Sequence, residues 1–227
     1  SLMNNMKKII SSLLVLTVIA VVMLSGQSSH AITTAFSPVA GNNSPMDGLS
    51  WSSAVQTWDQ ARNATSGNYA SSVDNAKAFL SAYKVGSYTE LLRSARCYDT
   101  SSLPDDAVIT VASETLYMYA DNHFTYDYVN GYLPFTSRVG PKDYFALVEY
   151  NGSTSTFSNA DYDNFGLTRF SANVPFSSLT LDADNVTSLN AAGNAHINKT
   201  GITCFGMRDG YDLDNFAYPE GTNFALW

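Results

Sequence analysis

Basic residues are scarce in this 227-residue chain: 12 Lys and Arg stand against 20 Asp and Glu, a formal charge of −8. A chain of that sign repels phosphate backbones, and no basic stripe reverses it, so nucleic acid and anionic membrane surfaces are poor partners. Histidine is nearly absent. His123 and His196 lie far apart beyond residue 31 with no His or Cys at ligand spacing, which argues against a zinc centre. The chain also lacks a G-x-S-x-G elbow, an H-E-x-x-H helix and a phosphate-cradling glycine loop. Its four glutamates are Glu90, Glu114, Glu149 and Glu220. A glycosidase needs two carboxylates at a set separation, which sequence does not display, so the chain is read as a non-enzyme.

No apolar run reaches the 18 or so residues of a bilayer span. The longest, residues 9–24, follows Lys7 and Lys8 and precedes Ser29-His30-Ala31, small residues at the −3 and −1 positions of a cleavage site. That order of basic, apolar and small residues is a secretory signal peptide. Residues 1–31 are therefore read as a helical, cleaved signal, with Met6 the best initiator and residues 1–2 or 1–5 as upstream frame. The mature chain is expected to begin at Ile32, to be secreted or periplasmic, and to hold no membrane contact. No Cys follows the apolar run, so a lipid anchor is not expected.

Only Cys97 and Cys204 are present. An even count in an oxidising compartment suits a disulfide, and two buried thiols are the other reading. Residues 32–50 are rich in Thr, Ser, Pro, Gly and Asn and read as an irregular leader. Residues 51–227 read as one β-sandwich domain, because short apolar or alternating runs recur between turn residues. Strands are expected at 93–99, 107–110, 115–120, 144–150, 176–181, 202–208 and 223–227. Leu116, Met118 and Ala120 share one face there, with Tyr117 and Tyr119 on the other. Asn151-Gly152 reads as a hairpin turn. The 73–83 segment fits helix and strand equally, and a short helix is expected within 188–198. The apolar Ala225-Leu226-Trp227 ending is read as a truncation of a longer frame.

Residues 93–110, Arg-Ser-Ala-Arg-Cys-Tyr-Asp-Thr-Ser-Ser-Leu-Pro-Asp-Asp-Ala-Val-Ile-Thr, continue into Glu114-Thr115-Leu116-Tyr117-Met118-Tyr119. Residues 197–208 read Ile-Asn-Lys-Thr-Gly-Ile-Thr-Cys-Phe-Gly-Met-Arg, with Asp212-Leu213-Asp214-Asn215 beyond. Together these blocks resemble the DNRLRE-type, carbohydrate-binding-module-like jelly rolls of secreted microbial and phage-associated proteins. Tyr98 stands where that family has Phe, and Ala112-Ser113-Glu114 is irregular. The resemblance implies a jelly-roll-like β-sandwich and a glycan or cell-surface polymer as partner. In the residues themselves, Asp99-Thr100-Ser101-Ser102-Leu103-Pro104 is an Asx/Ser turn followed by a φ-locked proline. Gly206 leaves room in its strand for a close neighbour.

Candidate ligand contacts are Tyr117, Tyr119, Tyr126, Tyr128 and Tyr132, whose rings can stack on a sugar face, together with Arg208. Asp209, Asp212, Asp214 and Asn215 offer oxygen ligands for a structural Ca²⁺, although no cofactor is required. The leading expectation is a secreted, non-catalytic polysaccharide-binding module. A structural or adhesive surface protein contacting proteins or itself is the second, and a polysaccharide hydrolase the third.

Overall fold

A computed structural model of the chain describes residues 15–22, 30–37, 48–72, 80–85, 88–118, 124–127, 131–134, 140–216 and 223–226. Its strands run β1 Val15–Val22, β2 His30–Phe36, β3 Gly48–Val55, β4 Tyr69–Ser72, β5 Leu80–Val85, β6 Tyr88–Asp99, β7 Val108–Met118 and β8 Phe124–Asp127. They continue with β9 Gly131–Pro134, β10 Tyr144–Tyr150, β11 Phe165–Arg169, β12 Val174–Pro175, β13 Ala183–Ser188, β14 Ile202–Asp209 and β15 Asn223–Leu226. Among the described residues the α-helices α1 Trp58–Arg62, α2 Ala191–His196 and α3 Gly210–Leu213 and the 3-10 segments Asn159–Asn164 and Phe176–Ser178 complete the order. The all-β expectation holds, with antiparallel pairing throughout the described ladders.

Among the described residues one sheet has the order β13-β7-β1-β2. A larger one has the order β11-β10-β14-β6-β3-β4, with β12 on β10, β5 on β6 and β15 on β5. Ala112 and Leu116 of β7 share one apolar core with Tyr98, Phe145, Leu147, Phe205 and Met207 of the larger sheet. Period-2 alternation explains the division: Tyr117 sits half-buried across the strand from Leu116, as read from sequence. Each fully buried Phe or Leu contributes about 1.5–3 kcal/mol by leaving water. An ion pair also bridges the two layers. Arg96 of β6 donates to Glu114 of β7 at 3.0 Å, and the Tyr98 hydroxyl reaches the same oxygen at 3.1 Å.

Several expectations change. His30–Phe36 is a strand that crosses from the segment read as signal into the one read as irregular, and the run read as a signal helix supplies β1. The Val, Ile and Thr content of Val15–Val22 accounts for the latter, since β-branched side chains suit a pleat. Phe176–Ser178 is a 3-10 turn where a strand was expected, following the φ-locked Pro175. Asn151-Gly152 opens a long connection through the 3-10 segment Asn159–Asn164 before β11 returns along β10, because Asp161 gathers that loop around itself. Asp161 accepts from Ser153 N, Ser158 N, Ser158 Oγ and the Tyr150 hydroxyl at 2.7–3.1 Å. Leu80–Val85 settles as strand, while 73–79 lies outside the described residues.

The two motif blocks meet as neighbours. In β6 and β14, Ile202 pairs with Asp99 and Cys204 with Cys97, whose sulfurs are bonded with Cα atoms 4.0 Å apart. Asp99 Oδ1 accepts from Ser101 N at 3.0 Å and Ser101 Oγ at 2.6 Å, the expected Asx turn. The buried Thr100 hydroxyl then lies 2.5 Å from Asn198 O and 2.7 Å from Thr203 Oγ1. Lys199 reaches over to the carbonyls of Asp105 and Ala107. A Cβ at Gly206 would fall 2.8 Å from Phe165 Cδ1, so the close approach expected at that glycine is real.

Candidate functional site

Strand β14 ends at Asp209, whose Oδ1 accepts from Tyr211 N at 2.8 Å and Asp212 N at 3.0 Å and so caps α3. A side chain at Gly210 would strike Lys142 O and Tyr144, both 2.5 Å from the position of its Cβ, so the turn is held close against the start of β10. The single turn aims Asp212 inward and Asp214 outward. Two different sites result.

Inward, Asp212 is clasped by two forked guanidiniums. Arg93 donates to Oδ2 at 2.7 Å and Oδ1 at 2.9 Å, and Arg208 does the same at 2.7 and 2.6 Å. The remaining donors reach carbonyls: Arg93 to Tyr162 and Arg62, Arg208 to Phe165 and Gly166. Arg93 also stacks 4.2 Å over the Tyr162 ring. Burial alone would raise the Asp212 carboxyl, but Arg93 and Arg208 hold it far below the usual carboxylate range. Asp209 behaves oppositely. Burial and the neighbouring Asp212 charge push it up to about 7, and its Oδ2 is buried without a hydrogen-bond partner.

Outward, Asp214 Oδ2 receives Lys142 at 2.5 Å and the Tyr144 hydroxyl at 2.7 Å, while Oδ1 receives Arg169 at 2.6 Å. Burial pushes this carboxyl up, but these three donors outweigh it and hold it at about 2. Asn215 follows with φ 50°, a left-handed turn that Asn tolerates, and Phe216 N closes on Tyr211 O at 3.0 Å. The Phe216 ring is left 53% exposed, with Lys142 Nζ 5.9 Å from its centroid. A half-exposed ring, tilted against Tyr211 with centroids 6.1 Å apart, thus stands beside a partly exposed carboxylate, ammonium and guanidinium.

Comparison with family models, curated proteins and solved structures finds no match to this chain. The arrangement of the side chains therefore carries the functional argument.

The predicted contacts disperse. Arg208 is buried, with its donors taken by Asp212 and two carbonyls, so it serves the interior and not a ligand. Tyr117 lies on β7, opposite Asp184, whereas Tyr126 and Tyr132 pair across β8 and β9. Tyr119 and Tyr128 lie outside the described residues. The four residues offered for a Ca²⁺ have other roles in this fold. Asp212 and Asp214 are matched to arginine and lysine, Asp209 is enclosed, and Asn215 forms the turn. Among the described residues no group of three His, Cys, Asp or Glu side chains is placed to hold a metal. No helix there is long and apolar enough to cross a membrane.

Lys142, Tyr144, Arg169 and Phe216 were missed because they come together only through the β10-β11 ladder and the α3 turn. Arg93 had a signal. Arginines at strand positions in a chain with 12 basic residues imply buried partners.

Proposed function

We propose that this protein is an exported, non-catalytic β-sandwich binding module for a polysaccharide or other cell-surface glycan. The observation that supports this reading is the patch around Asp214. Its exposed Phe216 ring offers a flat apolar face for a sugar's C–H side, while Lys142 and Arg169, held in place by Asp214 and partly exposed, donate to hydroxyls. The resemblance of residues 93–119 and 197–215 to DNRLRE-type jelly rolls points the same way. Export is supported by the signal-like order of residues 1–31 and by the Cys97–Cys204 bond.

A glycan array tests it. Phe216→Ala and Arg169→Ala should each abolish a signal seen with the parent chain while leaving the circular-dichroism spectrum unchanged. A Tyr126→Ala, Tyr132→Ala pair reports on the tyrosine platform. No binding to any glycan would reject the proposal. A second reading, a surface protein that assembles with itself, is favoured by one specific observation: the signal-like segment is also a strand of the smaller sheet.

A further inference from the structure

We infer that the exported chain carries an open strand position along β7, and that the N-terminal arm of a second copy, residues 32–36, fills it. The inference rests on the export reading above and not on the glycan reading. Its basis is that one segment has two incompatible fates. Residues 9–24 carry the apolar run of a cleavable signal, yet Val15–Val22 forms β1, paired on one edge to β7 and on the other to β2.

Cleavage after Ala31 removes β1 entirely. Strand β7 stays anchored to β13 from Ser113 to Met118, but its other edge, from Val108 to Thr115, loses every partner it had in β1. Register places Leu16 opposite Glu114 and Val18 opposite Ala112, two β7 residues that are 1% exposed, so the vacated position lies directly over the core. An unpaired edge above an apolar core is a template for an added strand.

Strand polarity selects the occupant. Strand β1 is antiparallel to both neighbours, so β2 runs parallel to β7. The chain's own arm would have to reverse direction to take over the antiparallel ladder, whereas an arm from a second copy enters in either direction. Among the described residues the backbone of β2 pairs with β1 alone, so the same cleavage that opens the position also removes the arm's ladder and leaves Phe36, packed in the core, as its buried anchor. The arm has a suitable alternation: Phe36 is buried and Thr34 partly so, while Thr33 and Ala35 are exposed. The Pro-, Gly- and Asn-containing residues 37–47 behind it span up to about 36 Å when extended, enough to bridge two molecules.

The test uses the exported, processed chain. Its intact mass is read first, followed by light scattering with and without a synthetic Val15–Val22 peptide extended by lysines. A variant lacking residues 32–36 is measured alongside. The expected result is an oligomer of the parent chain that the peptide converts to monomer. At roughly 100 times its dissociation constant the peptide should raise the Tm by about 5–10 °C. The arm-deleted chain should be monomeric and still respond to peptide. A parent monomer stabilised by peptide would show an open position but overturn the second copy as its occupant. A chain beginning at Ile32 that ignores both peptide and deletion, whether monomer or oligomer, would overturn the inference while leaving export intact. A recovered chain still carrying residues 15–22 would overturn the export reading and this inference with it.

Discussion

Replacing Asp212 with Asn keeps the shape of the side chain and removes the charge between Arg93 and Arg208. The carboxylate is 1% exposed and receives four hydrogen bonds from the two guanidiniums at 2.6–2.9 Å. Its loss leaves two buried cations facing each other across an amide whose N–H groups oppose theirs. Breaking one partner out of a buried ion cluster costs about 3–5 kcal/mol, a large share of the 5–15 kcal/mol that holds a domain folded. Urea unfolding at pH 7, followed by circular dichroism, should show the midpoint falling with an unchanged slope, and the Tm should drop by roughly 6–20 °C. A companion variant, Arg93→Met with Arg208→Met and Asp212→Leu, removes all three charges and should recover part of that loss. The carbonyls of Tyr162, Arg62, Phe165 and Gly166 lose their donors in it, so recovery is incomplete. A loss below about 1 kcal/mol for Asp212→Asn would refute the view that this cluster ties α3 to the sheet.

Other expectations concern pH, packing, the cross-link and the outer patch. Asp212 is depressed in the fold, so its contribution is present above the unfolded value near 3.8 and is lost as pH falls through the still lower folded value. Asp209 is raised to about 7, so its contribution is complete below about 3.8 and is lost as pH rises towards 7; stability should therefore peak on the acid side of neutrality. Asp209→Asn should flatten the fall between pH 4 and 7 in thermal scans, and an unchanged slope would assign that fall to another group. Gly206→Ala drives a methyl against Phe165 and should cost about 1–3 kcal/mol in urea unfolding. Exchanging Cys97 and Cys204 for Ser opens a bond spanning 107 residues and should cost about 2–5 kcal/mol; equal urea midpoints with and without reductant would contradict this. Asp214→Ala, which frees Lys142 and Arg169, should cost only about 1 kcal/mol because the cluster is partly exposed, and a drop as large as that of Asp212→Asn would contradict that contrast.

Local pattern carried the strand assignments for Tyr144–Tyr150 and Ile202–Asp209, short runs rich in apolar and aromatic residues that are buried along nearly their whole length. The Asx turn at Asp99 and the close approach at Gly206 were legible for the same reason, since each depends on immediate chemistry. Three features were not. The role of Val15–Val22 depends on two strands from elsewhere in the chain, and an aliphatic run satisfies both a signal and a buried strand. Asp212, Asp214 and Asn215 read locally as a set of oxygen ligands, and their partners were not legible: Asp212 and Asp214 turn to different cations on opposite sides of one turn. The outer patch joins residues 142, 144, 169, 214 and 216, and no local spacing announces a site assembled by a sheet ladder.

Intact mass and N-terminal sequence of the protein recovered outside the producing cell test the account most directly. The expected chain begins at Ile32 and weighs about 2 Da less than its reduced form, as a single cystine requires. A cytosolic product that begins at Met6 and carries two free thiols would contradict it.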